Sequence, residues 1–280
     1  MYKTNLHTHT DYCDGKCKTE EMILSAIECK FHSIGISTHG PVPFETDWNI
    51  KKEKVEEYID EVLFLKKKYK NEIQVFLGME LDYIPEIGFD EFTQKLIKRL
   101  DYYIGSVHYL GMLKNKTMWT VDYNTEELIQ GINESFNGNV RNAVEAYYKT
   151  ISEMAHNFHP PIIGHLDLIK KNNKNNVLFD ENEEWYKYSV EKCLDIIKNT
   201  KSIIEINTGG IARGYTFEQY PSTFILKMIK ERNIPVIINS DAHTREGIDC
   251  KFNEMNELLK AMEFSYMSIL TKNGWTKDQI

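Results

Sequence analysis

A chain of 280 residues with 41% hydrophobic and 27% charged content can bury a full core, as one α/β domain or two small ones. Its net charge of -8 excludes the basic surface on which unspecific binding to nucleic acid or an anionic membrane depends, yet it permits a small anionic substrate held by local cations. No apolar run is long enough to span a bilayer, no basic-then-apolar leader opens the sequence, and the five scattered cysteines form no disulfide framework, so a cytoplasmic location is expected.

The first predicted strand, Tyr2 to Thr10, presents His7 and His9 on one side and breaks into a loop holding Asp14. Alone, a His-x-His pair suits a metal site or a hydrogen-bonded pair equally well. Cys13 and Cys17 lack the second cysteine pair of a structural zinc site, which leaves Cys13 a minor ligand candidate. Thr19 is the expected cap of a first helix, with Glu20 and Glu21 in its opening turn. Ser33 to Thr38 reads as a second strand ending at His39, and the loop Gly40 to Asn49 carries Trp48. A helix from Lys51 follows, with Val55, Tyr58, Ile59, Val62 and Leu63 on its apolar face.

Ile73 to Leu81 is the third predicted strand and places Glu80 near its end. After a helix over Phe89 to Leu100, a fourth strand, Tyr102 to Val107, ends at His108. A loop through Trp119 and two helices, Thr125 to Phe136 and Asn139 to Phe158, lead to Ile162–Gly164 and then to His165 and Asp167. Asn124 and Glu127 form an expected capping pair for the first of these helices. The Lys- and Asn-rich run from Lys170 to Asn176 reads as a solvated loop without chemistry. Beyond a helix from Glu183 to Lys198, the strand Ile203 to Ile206 runs into a Gly-containing loop with Arg213. A helix over Ser222 to Arg232 precedes the last strand, Pro235 to Ile238, with Asp241 and His243 just past it. Lys251 to Met262 reads as helical, and the tail after Phe264 carries no signal.

No linker divides the chain, so residues 1–280 are expected to form a single domain. Strands alternating with helices imply a parallel sheet, and seven such units point to a closed or nearly closed barrel, with an open doubly wound sheet as the alternative. In a β/α barrel the strand C-termini meet on one face. That face would collect His7, His9, Asp14, His39, Glu80, His108, His165, Asp241 and His243. Imidazoles and carboxylates packed together without cations suffer desolvation and repulsion, which divalent metals relieve. Two or three ions fit, zinc, manganese or iron by donor type, and metal-assisted hydrolysis is the natural chemistry.

His7-Thr-His-Thr, Ser37-Thr-His39, Gly78-Met-Glu80, Gly105-Ser-Val-His108, Gly164-His165-Leu-Asp167, Glu205-Ile-Asn-Thr208 and Ser240-Asp241-Ala-His243 together resemble the polymerase and histidinol phosphatase (PHP) superfamily, within it the histidinol-phosphate phosphatases. The resemblance implies a distorted (β/α)7 barrel with a trinuclear metal centre. It assigns His7, His9, Glu80 and Asp241 to one ion, Glu80, His108 and His165 to a second, and Asp14, His39 and His243 to a third, with Asp11 or Cys13 as competitors of Asp14. It also implies hydrolysis of L-histidinol phosphate in histidine biosynthesis. The expected mechanism is in-line attack on phosphorus by a metal-bridging hydroxide, with Asp241 or a metal-linked histidine such as His243 handling the proton.

Arg213 is the candidate for gripping the phosphate, because a planar guanidinium matches that anion and the chain otherwise prefers lysine. Trp48, Tyr83 and Trp119 are candidate walls for an imidazole pocket. The expected partner is a small phosphorylated substrate, with the protein a monomer or homodimer. Rival readings are a related phosphoesterase for another small ester, an amidohydrolase, disfavoured by the lack of a strand-end lysine, and a metal-binding regulatory protein.

Overall fold

The computed structural model describes residues 2–280. Parallel strands β1 (Thr4–Asn5), β2 (Ser33–Ile36) and β3 (Gln74–Leu77) form one sheet, crossed over by α1 (Thr19–Glu28) and α2 (Val55–Lys68). The chain passes from β3 through Gly78 and Met79 into β4 (Glu80–Asp82), and α3 (Glu91–Ile97) carries it to β5 (Ile104–Ser106). An antiparallel hairpin of β6 (Tyr109–Met112) and β7 (Met118–Thr120) then leads through α4 (Thr125–Phe136) and α5 (Val140–Phe158) to β8 (Ile162–Ile163). Next come α6 (Glu184–Ile197), β9 (Ile203–Asn207), the short α7 (Gly209–Ala212), α8 (Thr223–Glu231) and β10 (Val236–Asn239). The chain finishes with α9 (Phe252–Ala261) and a hairpin of β11 (Tyr266–Thr271) and β12 (Gly274–Gln279).

The second parallel sheet runs β10-β9-β8-β5-β4, and both its edges meet the first. At one seam His39 bridges Glu80, and the Gly40 N–H donates to the Glu80 carbonyl at 2.7 Å. At the other, Thr8 bridges Ala242 and the His9 N–H donates to the Ala242 carbonyl at 2.8 Å. With β3 and β4 counted as one strand interrupted at Gly78 and Met79, seven strands close into the expected (β/α)7 barrel, and the open sheet falls away. Inside it, Leu6, Phe76, Tyr102, Ile104, Ile162, Ile203 and Ile237 form an apolar plug joined by Leu270 of β11. Gly35 and Gly78 make room for the Tyr102 ring: a Cβ would fall 2.0 Å and 2.3 Å from its atoms. Between strands and helices lies the larger core, to which α1 gives Met22, Ile23 and Ala26, and α5 gives Val144, Tyr147, Ile151 and Met154, residues at helical spacing on one face.

Several expectations need correction. The opening strand is regular only over Thr4–Asn5, because the Thr8–Ala242 bridge is an isolated contact at the seam. Lys18, not Thr19, occupies the cap position of α1, and its N–H is taken by Glu21 at 2.8 Å. Asn124 caps α4 by accepting from the Glu127 N–H at 2.8 Å, while the Glu127 carboxylate turns away to Thr120. The supposed loop through Trp119 is the β6–β7 hairpin, with Trp119 fully buried against Gly131 and its indole N–H on Ser135 at 3.0 Å. The silent tail is a second hairpin at the β-strand N-terminal side, anchored where the Tyr2 N–H donates to Asp278 at 2.6 Å. Met267, Ser268, Ile269 and Leu270 are all buried, so β11 lacks the alternation that announces a strand.

Candidate metal centre

Glu80, the first residue of β4, stands at the middle of the barrel mouth with 1% exposure. Its Oε2 lies 3.0 Å from His7 Nε2, 3.4 Å from His9 Nε2 and 3.0 Å from His39 Nδ1. Its Oε1 lies 2.8 Å from His165 Nε2 and 3.6 Å from His108 Nε2, and accepts from Ser106 Oγ at 2.7 Å. Five histidines from four strand ends thus surround one carboxylate. Asp241 lies on their far side, its Oδ1 3.1 Å from His9 Nε2 and 3.7 Å from His7 Nε2. The Asp241 backbone sits in the left-handed region (φ 50), a conformation that aspartate tolerates better than bulky residues and that functional sites often contain.

The donor atoms themselves test whether a cation belongs here. His9 Nε2 and His39 Nδ1 are buried within about 3 Å of carboxylate oxygens but make no hydrogen bond to them. Lone pairs facing one another at such spacings suit a shared cation, since ligands bound at about 2 Å lie roughly 3 Å apart. Clusters of potential ligands are formed by His9, Asp14, His39 and His243, by His7, His9 and Asp241, and by His39, Glu80 and His108. Imidazole and carboxylate donors fit zinc, manganese or iron.

Two of the rings are held from behind by carboxylates that sequence reasoning did not assign. Glu205 in β9 accepts from His7 Nδ1 at 2.6 Å and is fixed by the His165 N–H and by Asn207 and Asn239 amides. Asp82 in β4 accepts from His108 Nδ1 at 2.6 Å. Such partners fix the ring and leave Nε2 free to ligate. Burial opposes the charged form of both histidines, but the carboxylates outweigh it: His7 is held well above the usual histidine range and His108 is pushed up to about 10. Burial, reinforced by His243 and His39, holds His9 well below that range. Glu80 stays ionised in spite of its burial, because His7, His39 and His108 face it. The Glu205 motif had been noted, but only the fold reveals what it touches.

The outer part of the cluster is built from loops. His243 Nε2 lies 3.3 Å from Asp14 Oδ2, and His39 Nε2 lies 3.8 Å from Asp14 Oδ1. Burial works against the Asp14 carboxylate, yet His243, His39 and His9 hold it far below the ordinary carboxylate range. Asp11 is exposed and does not join these ligand groups. Cys13 lies behind His9, with Sγ 3.5 Å from Nδ1, and burial pushes its thiol up to about 12, so it remains protonated near neutral pH.

Arg213, just after α7, donates to the Asp241 carbonyl at 2.7 Å and to Asp241 Oδ2 at 2.9 Å, with part of its guanidinium open to solvent. Gly209 permits this approach, since a Cβ would fall 2.8 Å from Asp241 Oδ2. Trp48 stands edge-on to His39 and His108 and stacks on Tyr109 at 5.5 Å, walling the mouth. Tyr83 packs on Phe89 and Phe158, and Trp119 fills the core, so neither serves as a wall. The Lys170–Asn176 run is a further correction. Lys170 and Asn173 are buried, Lys170 in ion pairs with Asp167 and Glu218, and Asn173 accepting backbone N–H bonds from Leu178 and Phe179.

The sequence pattern of the PHP domain matches residues 5–209. The chain belongs to the PHP domain family. The histidinol-phosphatase of Bacillus subtilis is 30% identical, the match covering 87% of this chain and 94% of that protein. A candidate histidinol phosphatase from Listeria monocytogenes superposes with a TM-score of 0.78 at 25% identity, covering 90% of this chain and 99% of that one. The Lactococcus lactis histidinol phosphate phosphatase, solved with zinc, L-histidinol and phosphate, shares the fold with a TM-score of 0.75 at 17% identity, covering 99% of each chain. PHP proteins of this subgroup thus match the chain along nearly its whole length, including the part beyond Gly209 that the domain pattern leaves out.

Proposed function

We propose that this PHP protein is a metal-dependent phosphomonoesterase that hydrolyses L-histidinol phosphate to L-histidinol and phosphate, a step of histidine biosynthesis. The observation that carries this reading is Glu80 encircled by His7, His9, His39, His108 and His165, a donor set suited to several ions sharing one carboxylate. The relatives named histidinol-phosphatase add the substrate. In this reading three divalent ions are held: one by His7, His9, Glu80 and Asp241, one by Glu80, His108 and His165, and one by Asp14, His39 and His243. When bound, such ions supply an activated water and neutralise charge on the phosphoryl oxygens.

The chain's own residues do the rest. Glu205 and Asp82 keep the Nδ1 protons of His7 and His108, so that each ring directs Nε2 inward. Arg213 supplies a fixed cation at the open side, where its guanidinium can take a phosphate oxygen while still holding Asp241. Asp241 is ionised despite burial, owing first to Arg213 and then to His7, so its Oδ1 can accept a proton and pass it on toward the leaving oxygen. His243 Nδ1 lies 3.5 Å from that oxygen and 2.8 Å from Arg213 Nη1, and is the second group placed to handle the proton. Trp48, half-buried with one face stacked on Tyr109, walls the mouth where the imidazole of the substrate would sit. Five free cysteines and the absence, among the described residues, of any helix long and apolar enough to cross a membrane support a cytoplasmic place of action.

A panel of phosphate monoesters, assayed with manganese or zinc, tests the assignment. A clear preference for L-histidinol phosphate is expected. Equal turnover of sugar, nucleotide and amino-alcohol phosphates would defeat it in favour of a general phosphoesterase.

A further inference from the structure

Among the described residues, Lys170 is the one lysine whose side chain is almost wholly buried among carboxylates: 5% exposed, 3.0 Å from Asp167 Oδ2 and 3.1 Å from Glu218 Oε1. Buried ion pairs of this kind add little net stability, because desolvation offsets the attraction, and they serve better to hold one geometry. The geometry in question is that of the loop following Arg213. Asp167, two residues past His165, accepts the Ser222 N–H at 2.9 Å through the same oxygen that faces Lys170. Glu218 accepts the Thr223 N–H at 3.1 Å through its other oxygen. Lys170 therefore ties together the two carboxylates that fix the loop's returning arm. The outgoing arm begins at Arg213, and between them the tip exposes Tyr215 and Phe217, the latter completely. Within the tip the chain is held by short links, such as the Tyr215 N–H to the Gly210 carbonyl at 2.8 Å, and by Lys171 Nζ 4.6 Å above the Tyr215 ring.

We propose that Lys170, through Asp167 and Glu218, is a positioning residue that clamps the 213–222 loop so that Arg213 presents its guanidinium to phosphate. The inference rests on the phosphate-gripping role given to Arg213 above. A simple packing role for Lys170 would alter stability alone. A positioning role alters phosphate affinity, and only while Arg213 is present.

The decisive variant is Glu218→Ala, which opens the clamp at its partly exposed end and leaves Lys170 paired with Asp167; Lys170→Met cuts it from the inside. Affinity for inorganic phosphate is measured calorimetrically on the metal-loaded protein, and chymotrypsin nicking at the Tyr215–Phe217 tip reports release of the loop. Glu218→Ala should weaken phosphate binding about tenfold, speed nicking, and raise KM with kcat within about twofold. In an Arg213→Ala background the same substitution should change phosphate affinity no further. Additive losses, or unchanged affinity and nicking in both variants, overturn the proposal. The outcome is separable from the substrate assignment, because inorganic phosphate and the protease are blind to the alcohol: a protein that prefers another phosphate ester would sink the histidinol reading and leave the clamp standing.

Discussion

The two halves of the candidate metal centre are constructed differently. The inner half, His7, His9, Glu80, His108 and His165, is at most 5% exposed, stands on strand ends, and is backed by Glu205 and Asp82. The outer half joins His39 to two loop residues: the Asp14 side chain is 36% exposed and that of His243 16%. The difference teaches that strand ends and backing carboxylates fix the inner candidate ligands, while the outer ones depend on loops and are more open to water. Ions should accordingly be held with unequal strength.

Removing the shared carboxylate should have the largest effect. Glu80→Gln is expected to lower kcat/KM by roughly 10³-fold or more and to reduce metal content by more than one equivalent by elemental analysis, because every inner histidine faces Glu80. Full metal content in that variant would refute the shared-ligand geometry.

The next comparison sets backing against ligand. Glu205→Gln and Asp82→Asn should each weaken metal binding or activity by about 10–100-fold. Asp14→Asn should instead abolish only the most weakly held equivalent in a chelator titration. If all equivalents leave together in the wild type, the division between inner and outer halves is wrong.

The raised pKa values of His7 and His108 make a third test. Both groups are protonated in the metal-free protein at neutral pH, so their ion pairs contribute stability that is present below the ordinary histidine pKa and lost as pH rises, for His108 through about 10. Ligation must displace the Nε2 protons. Metal binding near pH 7 should therefore release protons, seen as a dependence of the calorimetric heat on buffer ionisation enthalpy, and release should shrink toward pH 10. Heats independent of the buffer would contradict these protonation states. The smallest effect is expected at the rim: Trp48→Ala should raise KM several-fold with little change in kcat, since Trp48 touches the histidine rings only edge-on.

Much of the site was legible in the residues alone, because a candidate ligand at the end of an apolar run is visible locally: His39 after Ser33–Ile36, His108 after Ile104–Ser106 and His165 after Ile162–Ile163. The β11–β12 hairpin was not, since its first strand is buried on both faces and its second, Gly-Trp-Thr-Lys-Asp-Gln, is mostly polar and exposed. Lys170 was misread for a related reason. A lysine among lysines and asparagines looks solvated until the chain folds two carboxylates onto it.

The sequence by itself determined the alternation of strands and helices and the placing of imidazoles and carboxylates at strand ends, both consequences of short-range pattern, and left a closed barrel and an open sheet as alternatives. Only the tertiary structure decided that Glu205 backs His7 from 198 residues away, that Asp82 backs His108, that Asp14 rather than Asp11 or Cys13 meets His39 and His243, and that Lys170 ties down the Arg213 loop. Those pairings depend on which strands become neighbours and how their ends are staggered, information that no local periodicity contains.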